Sequence, residues 1–182
     1  MVKTNSMRAW FLATRPKTLT GAIAPVLVGA AFAYASSDAV SMLMPFLLCL
    51  LFAVLMQIDA NLINDYFDFK KGTDREDRLG PERACAQGWI TPRAMQWGIG
   101  VMTALSCLVG IAILLVHMQW ELLLVGILCV VFCFLYTTRL SYLGWGDVLV
   151  LVFFGFVPVV FTHYVMTNGG WSVPLLIAGF AM

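Results

Sequence analysis

Charge along this chain is confined to islands. No Asp, Glu, Lys or Arg occurs between Lys17 and Asp38, from Ala39 to Ile58, from Ala94 to Trp120, from Leu122 to Thr138, or from Val148 to Met182. A helix crosses a hydrocarbon core with about 17–25 residues, so each of the first four runs predicts one spanning helix. The last run is long enough to cross and turn back, and Asn168-Gly169-Gly170 with Pro174 supplies the turn signal. The predicted spans are 19–36, 44–69, 93–116, 120–138 and 147–166, with a partial sixth over 172–182. Ahead of them, Trp10-Phe11-Leu12 beside Arg8 and Arg15 predicts a short interfacial helix at 5–14, and Met1 to Pro16 is too polar for the apolar core of a signal peptide. A polar loop fills 70–92. The expected fold class is therefore all-α, a polytopic transmembrane helix bundle forming a single membrane domain over 1–182. Because the sixth apolar run reaches only Met182, the chain is expected to be the N-terminal part of a longer protein.

Composition agrees with this reading: 61% of residues are hydrophobic and 12% charged. With 11 basic and 10 acidic residues, the net charge of +1 lacks the basic excess that a nucleic acid partner requires. The distribution of charge is more informative than its sum. If the spans alternate, one side receives the N-terminal segment, 70–92 and 139–146, and every Lys and Arg falls in or beside that set. Short cytoplasmic loops retain basic residues, so the N-terminus and the 70–92 loop are expected on the cytoplasmic side. Cys49, Cys85, Cys107, Cys129 and Cys133 form no C-x-x-C pair and read as small apolar fillers. His117 and His163 have no acidic or cysteine neighbours at ligand spacing. The common nucleotide-binding and hydrolase signatures are missing.

One stretch exceeds what membrane packing needs. In Gln57-Ile58-Asp59-Ala60-Asn61-Leu62-Ile63-Asn64-Asp65-Tyr66-Phe67-Asp68, a helix at about 100° per residue places Gln57, Asn61, Asn64, Asp65 and Asp68 on one narrow face. Asp59 falls on the other side. An intramembrane carboxylate costs roughly 2.5–3.5 kcal/mol and persists where it faces a bundle interior or a wet cavity. Asn and Gln could serve only as glue between helices. Two carboxylates a turn apart with a carboxamide also suit a hard cation, and Mg²⁺ characteristically shares such sites with substrate phosphate. The loop that follows, Lys70-Lys71-Gly72-Thr73-Asp74-Arg75-Glu76-Asp77-Arg78-Leu79-Gly80-Pro81-Glu82-Arg83, adds carboxylates and five basic residues. Gly72 is the expected helix end, and Asp74 and Asp77 would share a face in a helical turn. Arg and Lys there could contact phosphate oxygens, Arg through a bidentate fork.

At these residues the sequence resembles the UbiA superfamily of intramembrane aromatic prenyltransferases, whose first aspartate-rich motif, N-D-x-x-D, corresponds to Asn64-Asp65-Tyr66-Phe67-Asp68. The run through Lys71-Gly72-Thr73-Asp74, Asp77-Arg78-Leu79-Gly80-Pro81, Arg83 and Gly88-Trp89-Ile90-Thr91 is similar to the branch that prenylates dihydroxynaphthoate in menaquinone biosynthesis. So are Arg15-Pro16-Lys17-Thr18-Leu19 and Tyr142-Leu143-Gly144-Trp145-Gly146-Asp147. The resemblance implies a nine-helix bundle with a central cavity, capped on the cytoplasmic side and open sideways to lipid. It implies that Asn64 and Asp68 help hold Mg²⁺ on a diphosphate, with Asp65, Asp74 and Asp77 nearby as additional acids. It makes Lys70, Arg75, Arg78 and Arg83 candidates for the diphosphate, joined by Tyr136 and Arg139. A second aspartate-rich motif belongs beyond the sixth span, so half of the site is expected here and the isolated chain is expected to be inactive.

The implied reaction transfers a polyprenyl group from an allylic polyprenyl diphosphate to 1,4-dihydroxy-2-naphthoate with loss of carbon dioxide and diphosphate. It is expected in a bacterial inner membrane. Phe67, Phe132, Phe134, Tyr136, Phe153, Phe154 and Phe156 are the aromatic side chains available to an allylic cation. Three alternatives stay open on sequence: a UbiA-type enzyme with another aromatic acceptor, a fragment that binds prenyl diphosphate without turnover, and an intramembrane transporter or proton relay. Prenyl tail length and oligomeric state are not readable.

Overall fold

Ser6 starts the first helix by accepting a hydrogen bond from the Ala9 amide at 3.3 Å. The computed structural model describes residues 2–36, 43–72, 82–138, 144, 146–167 and 169–182, and among them there is helix but no strand. Helix α1 runs Met7–Ala13. Arg15 then takes a left-handed conformation, φ 51°, and a 3-10 turn at Pro16–Thr18 leads into α2, Thr20–Ser36. The two helical pieces, Met7–Thr18 and Thr20–Ser36, are bent by 50°. A helix does form within the 5–14 segment, as α1, and it is turned sharply away from the helix that follows.

Helix α3, Leu43–Lys71, has 29 residues, about 43 Å at 1.5 Å per residue. It ends where Gly72 adopts φ 66°, a conformation that suits glycine. Thr91 caps the next helix through the Ala94 amide, and Pro92 occupies its first turn. That helix, α4, spans Pro92–His117 and is closed by Met118 in a left-handed cap. Helix α5 covers Glu121–Thr138. The following apolar run forms one long helix in three parts: α6 at Gly146–Val150, a π-helical turn at Leu151–Phe156, and α7 at Val157–Thr167. Helix α8, Val173–Ala181, begins with Ser172 capping the Leu175 amide.

Leu43–Lys71, Pro92–His117 and Gly146–Thr167 are each long and apolar enough to cross a membrane, and the bent pair Met7–Thr18 with Thr20–Ser36 qualifies as one broken span. Leu105, Leu108 and Leu115 of α4 and Leu124, Ile127 and Val131 of α5 stand exposed on the outside. In water this surface would be a liability; in lipid it costs nothing. The chain is a multi-pass membrane helix bundle.

Two contacts set the frame. Helices α3 and α4 pack along one another. Helices α2 and α7 approach so closely at Gly29 that a Cβ there would lie 2.3 Å from the Val159 carbonyl oxygen, so only glycine fits. The core is divided. Ala9, Ala13, Leu62, Ile63, Ala84, Cys85, Ile90, Met95 and Ile99 form a buried cluster at the charged end of the bundle. Val26, Cys49, Ile113 and Val165 form another toward the opposite end. Between these clusters α2 to α7 enclose a cavity of about 330 Å³.

Candidate functional site

The cavity wall is almost wholly apolar. Phe52 and Met56 of α3, Phe132 of α5, Phe153 and Phe154 of the π-helical turn, and Phe161 of α7 line it. Polar side chains enter toward its charged end, where Gln57 and Asn64 of α3 and Tyr136 of α5 complete the wall. Asn64 and Tyr136, assigned to the same diphosphate from sequence, therefore face one space.

The polar face of α3 divides among several partners. The Asn61 side chain donates to the Thr14 carbonyl oxygen and the Thr18 hydroxyl, each at 2.9 Å, and receives Gln57 Nε2 at 3.3 Å. It fastens α3 to the bend between α1 and α2. Asp65 is fully buried, and both carboxylate oxygens accept backbone N–H groups, from Ala84 at 2.7 Å and Cys85 at 2.9 Å. The resemblance implies only that Asp65 is an additional acid near the metal; its carboxylate is turned to the 82–90 segment and holds it down. Two buried amides would otherwise lack acceptors.

Arg83 is buried, at 6% exposure. Its guanidinium pairs with the Asp68 carboxylate and donates to the Asn64 carbonyl oxygen at 2.6 Å. The sequence suggested Arg83 as a ligand for diphosphate; the structure places it across the last turns of α3, bridging the N-D-x-x-D motif at both ends. The segment then folds on itself through Gln87 N–H to the Arg83 carbonyl and Trp89 N–H to the Ala84 carbonyl, at 2.9 and 2.8 Å. The chain's first residues seal it: Thr4 donates to the Gly88 carbonyl, the Asn5 amide to the Trp89 carbonyl, and the Thr91 amide to the Asn5 side chain.

Asp59 lies away from this face, as expected, and the structure supplies the partner that the sequence did not. Its carboxylate accepts the Thr103 hydroxyl of α4 at 2.6 Å and is 1% exposed. Lys70 is exposed at the end of α3. Asp74, Asp77, Arg75, Arg78 and Arg139 lie outside the described residues. Of the aromatic candidates, Phe132, Tyr136, Phe153 and Phe154 line the cavity. Phe67 and Phe134 instead pack on the buried cluster at the charged end, and Phe156 packs against Phe180 of α8. Phe52 and Phe161 line the cavity without having been singled out. Neither belongs to a motif that marks it among so many apolar residues.

Among the described residues there is no group of three or more His, Cys, Asp or Glu side chains that could hold a metal. The donor chemistry nevertheless fits Mg²⁺ carried on a phosphate. Such an ion needs one or two hard oxygen ligands from protein, and Asn64 and Asp68 offer a carboxamide and a carboxylate one helical turn apart, both only partly buried.

The description "UbiA prenyltransferase family" belongs to the family model that matches residues 22–182. The chain belongs to that family. A 1,4-dihydroxy-2-naphthoate octaprenyltransferase of Haemophilus influenzae is 35% identical over 170 residues, 89% of this chain and 55% of that protein. The protein of the same name from Escherichia coli is 37% identical over 178 residues, 93% of this chain and 56% of the relative. A UbiA prenyltransferase domain-containing protein 1 from Danio rerio is 30% identical over 177 residues, 93% and 51% of the two chains. The chain spans about half the length of the curated relatives it matches.

Proposed function

We propose that the protein containing this chain transfers a polyprenyl group from an allylic polyprenyl diphosphate to 1,4-dihydroxy-2-naphthoate. The observation that carries the reading is the cavity: a long apolar space ending at Asn64 and Tyr136, beside Asp68, matches a molecule with a hydrocarbon tail and an anionic head. The relatives named as dihydroxynaphthoate octaprenyltransferases support the choice of acceptor.

In this reading Asn64 and Asp68, with Asp74 and Asp77, hold Mg²⁺ on the diphosphate. When bound, the ion supplies positive charge to the departing diphosphate oxygens. Lys70, Arg75, Arg78, Tyr136 and Arg139 bind the same head group through charge-assisted hydrogen bonds. Arg83 contributes indirectly: by gripping Asp68 and the Asn64 carbonyl oxygen it fixes the two ligands relative to one another. The allylic C–O bond breaks and its electron pair leaves with diphosphate. Phe132, Phe153 and Phe154 offer ring faces to the cation that remains, and the apolar wall keeps water from capturing it. The acceptor ring attacks through its carboxyl-bearing carbon, a carbon–carbon bond forms, and the carboxyl group leaves as carbon dioxide. The product is the reduced form of demethylmenaquinone. The reaction takes place in a bacterial inner membrane, with the N-terminus and the 70–92 loop on the cytoplasmic side, where all basic residues gather.

The test is transfer of radiolabelled prenyl groups in membranes containing the full-length protein, with Mg²⁺ present or chelated, against dihydroxynaphthoate, hydroxybenzoate and homogentisate. Mg²⁺-dependent product with dihydroxynaphthoate is expected. Product with another ring alone would overturn the acceptor; undiminished product after chelation would overturn the metal.

A further inference from the structure

Helix α1 has two apolar faces. One is spent inside the bundle: Ala9 and Ala13 are buried in the cluster at the charged end, and Trp10 lies so close to α4 that a Cβ on Gly98 would stand 2.6 Å from its ring. The other face is open. Met7 and Phe11, one turn apart, are 88% and 63% exposed, and at about 100° per residue they stand opposite Ala9 and Ala13. Trp97 of α4, next to the Gly98 slot, is 72% exposed. Basic residues of the same two segments are exposed as well: Lys3 and Arg8 at α1, and Arg93 one turn before Trp97. Arg93 is two positions from Thr91, whose amide donates to the Asn5 side chain. Residues 1–37 and 83–120, which build this patch, contain no Asp or Glu.

We propose that Lys3, Arg8 and Arg93, with Met7, Phe11 and Trp97, form a binding surface for anionic phospholipid headgroups of the bilayer that the chain crosses. Large apolar side chains beside cations suit the headgroup layer, where the former enter the acyl boundary and the latter meet phosphates. A protein partner is a poorer match, because Lys is depleted at protein interfaces. The 50° bend between Met7–Thr18 and Thr20–Ser36 takes α1 out of line with the helix that follows, as a helix lying in that layer requires. A headgroup bound here touches elements that also hold the candidate site. Behind α1, the Thr14 carbonyl oxygen and Thr18 hydroxyl receive Asn61; ahead of it, Thr4 and Asn5 close on the 88–91 segment. Anionic lipid therefore clamps α1 from outside, and lipid composition sets how firmly the charged end is shut. The proposal goes beyond the prenyl-transfer reading and does not depend on it.

The experiment extracts the full-length protein from vesicles of equal phosphatidylglycerol and phosphatidylcholine with matched chains, and reads the ratio of the two lipids that stay bound. Enrichment in phosphatidylglycerol is expected. Arg8→Gln should lower it about fivefold, the contribution of one cation near an anionic surface, and Lys3→Gln, Arg8→Gln and Arg93→Gln together should abolish it. In nanodiscs, hydrogen exchange of the 3–14 amides is expected to slow when phosphatidylglycerol replaces part of the phosphatidylcholine, and the triple variant should lose that response. Inorganic phosphate added to phosphatidylcholine discs is expected to leave exchange unchanged, which separates a lipid headgroup from a free anion. Equal retention of the two lipids by the unsubstituted protein, or enrichment that survives the triple variant, overturns the proposal. So does protection by phosphate equal to that by phosphatidylglycerol. Exchange that is slow and alike in every lipid overturns it too, and would mean that protein rather than lipid covers the patch.

Discussion

From Gln57 to Asp68, α3 meets its neighbours through hydrogen bonds and an ion pair, each aimed at a different element: Asn61 at the α1–α2 bend, Asp65 at the Ala84 and Cys85 amides, Asp68 at Arg83, and Asp59 at Thr103. From Phe46 to Phe52 the same helix meets its neighbours chiefly through aliphatic and aromatic side chains packed on Val26, Ile113 and Val165. The polar half is specified by pairing. A buried donor left without its acceptor is expensive, so these contacts permit one register. The apolar half is specified by volume, which several side-chain sets can satisfy. One helix thus carries a rigid chemical end and an end whose shape can be retuned.

The contrast breaks most easily at Asp68. In the full-length protein Asp68→Ala is expected to lower prenyl transfer about a thousandfold, as removal of a main electrostatic contact at a reacting group does, while membrane fractionation shows normal insertion. Undiminished turnover would remove Asp68 from the site. Asp65→Ala should act on folding instead: with two buried amides left without acceptors, a loss of about 3 kcal/mol is expected, seen as a lower thermal midpoint in detergent. If Asp65→Ala leaves the midpoint unchanged, the carboxylate is not what holds the 82–90 segment. Asn61→Ala should cost about 1–2 kcal/mol and free the α1–α2 bend, which proteolysis near Arg15 would report. Phe52→Leu, in the apolar half, is expected to cost under about 1.5 kcal/mol; a penalty as large as that of Asp65→Ala would end the distinction between the halves. The smallest effect is assigned to Asp59→Asn, which keeps an acceptor for Thr103 and should change stability by less than about 1 kcal/mol. Equal loss of transfer from Asp59→Asn and Asp68→Ala would show that both faces of α3 reach substrate.

Much of the helical layout is legible in the sequence because charge-free runs and helix caps are local signals. The run read as 44–69 appears as Leu43–Lys71, ending at Gly72 as expected, and 93–116 appears as Pro92–His117, whose start is marked by the Thr91 cap and Pro92. The polar face of α3 is legible as a face. Its partition is not, since the partners of Asn61 and Asp65 lie 43 to 47 and 19 to 20 positions away in the chain. Nothing in the spacing of Asp65 and Asp68 says that one holds a turn while the other pairs with Arg83. The cavity is less legible still. In a run such as Leu149 to Phe161, every position is a candidate for lipid, core or cavity, and the π-helical turn at Leu151–Phe156 departs from the 3.6-residue period that any wheel assumes. Phe153 and Phe154 face the cavity while Phe156 turns to Phe180.

The seal between the chain's first residues and the 88–91 segment has a consequence for biosynthesis. Asn5 and Thr91, joined through the Asn5 side chain, are 86 residues apart. During translation at about 5–20 residues per second, some 4–17 s separate their emergence. Throughout that interval α1 has no lid to close against, and α2 and α3 must enter the bilayer with the N-D-x-x-D segment still open to water. The order of events therefore favours the apolar end settling first and the charged end being shut afterwards, as the last act of assembly for this part of the protein.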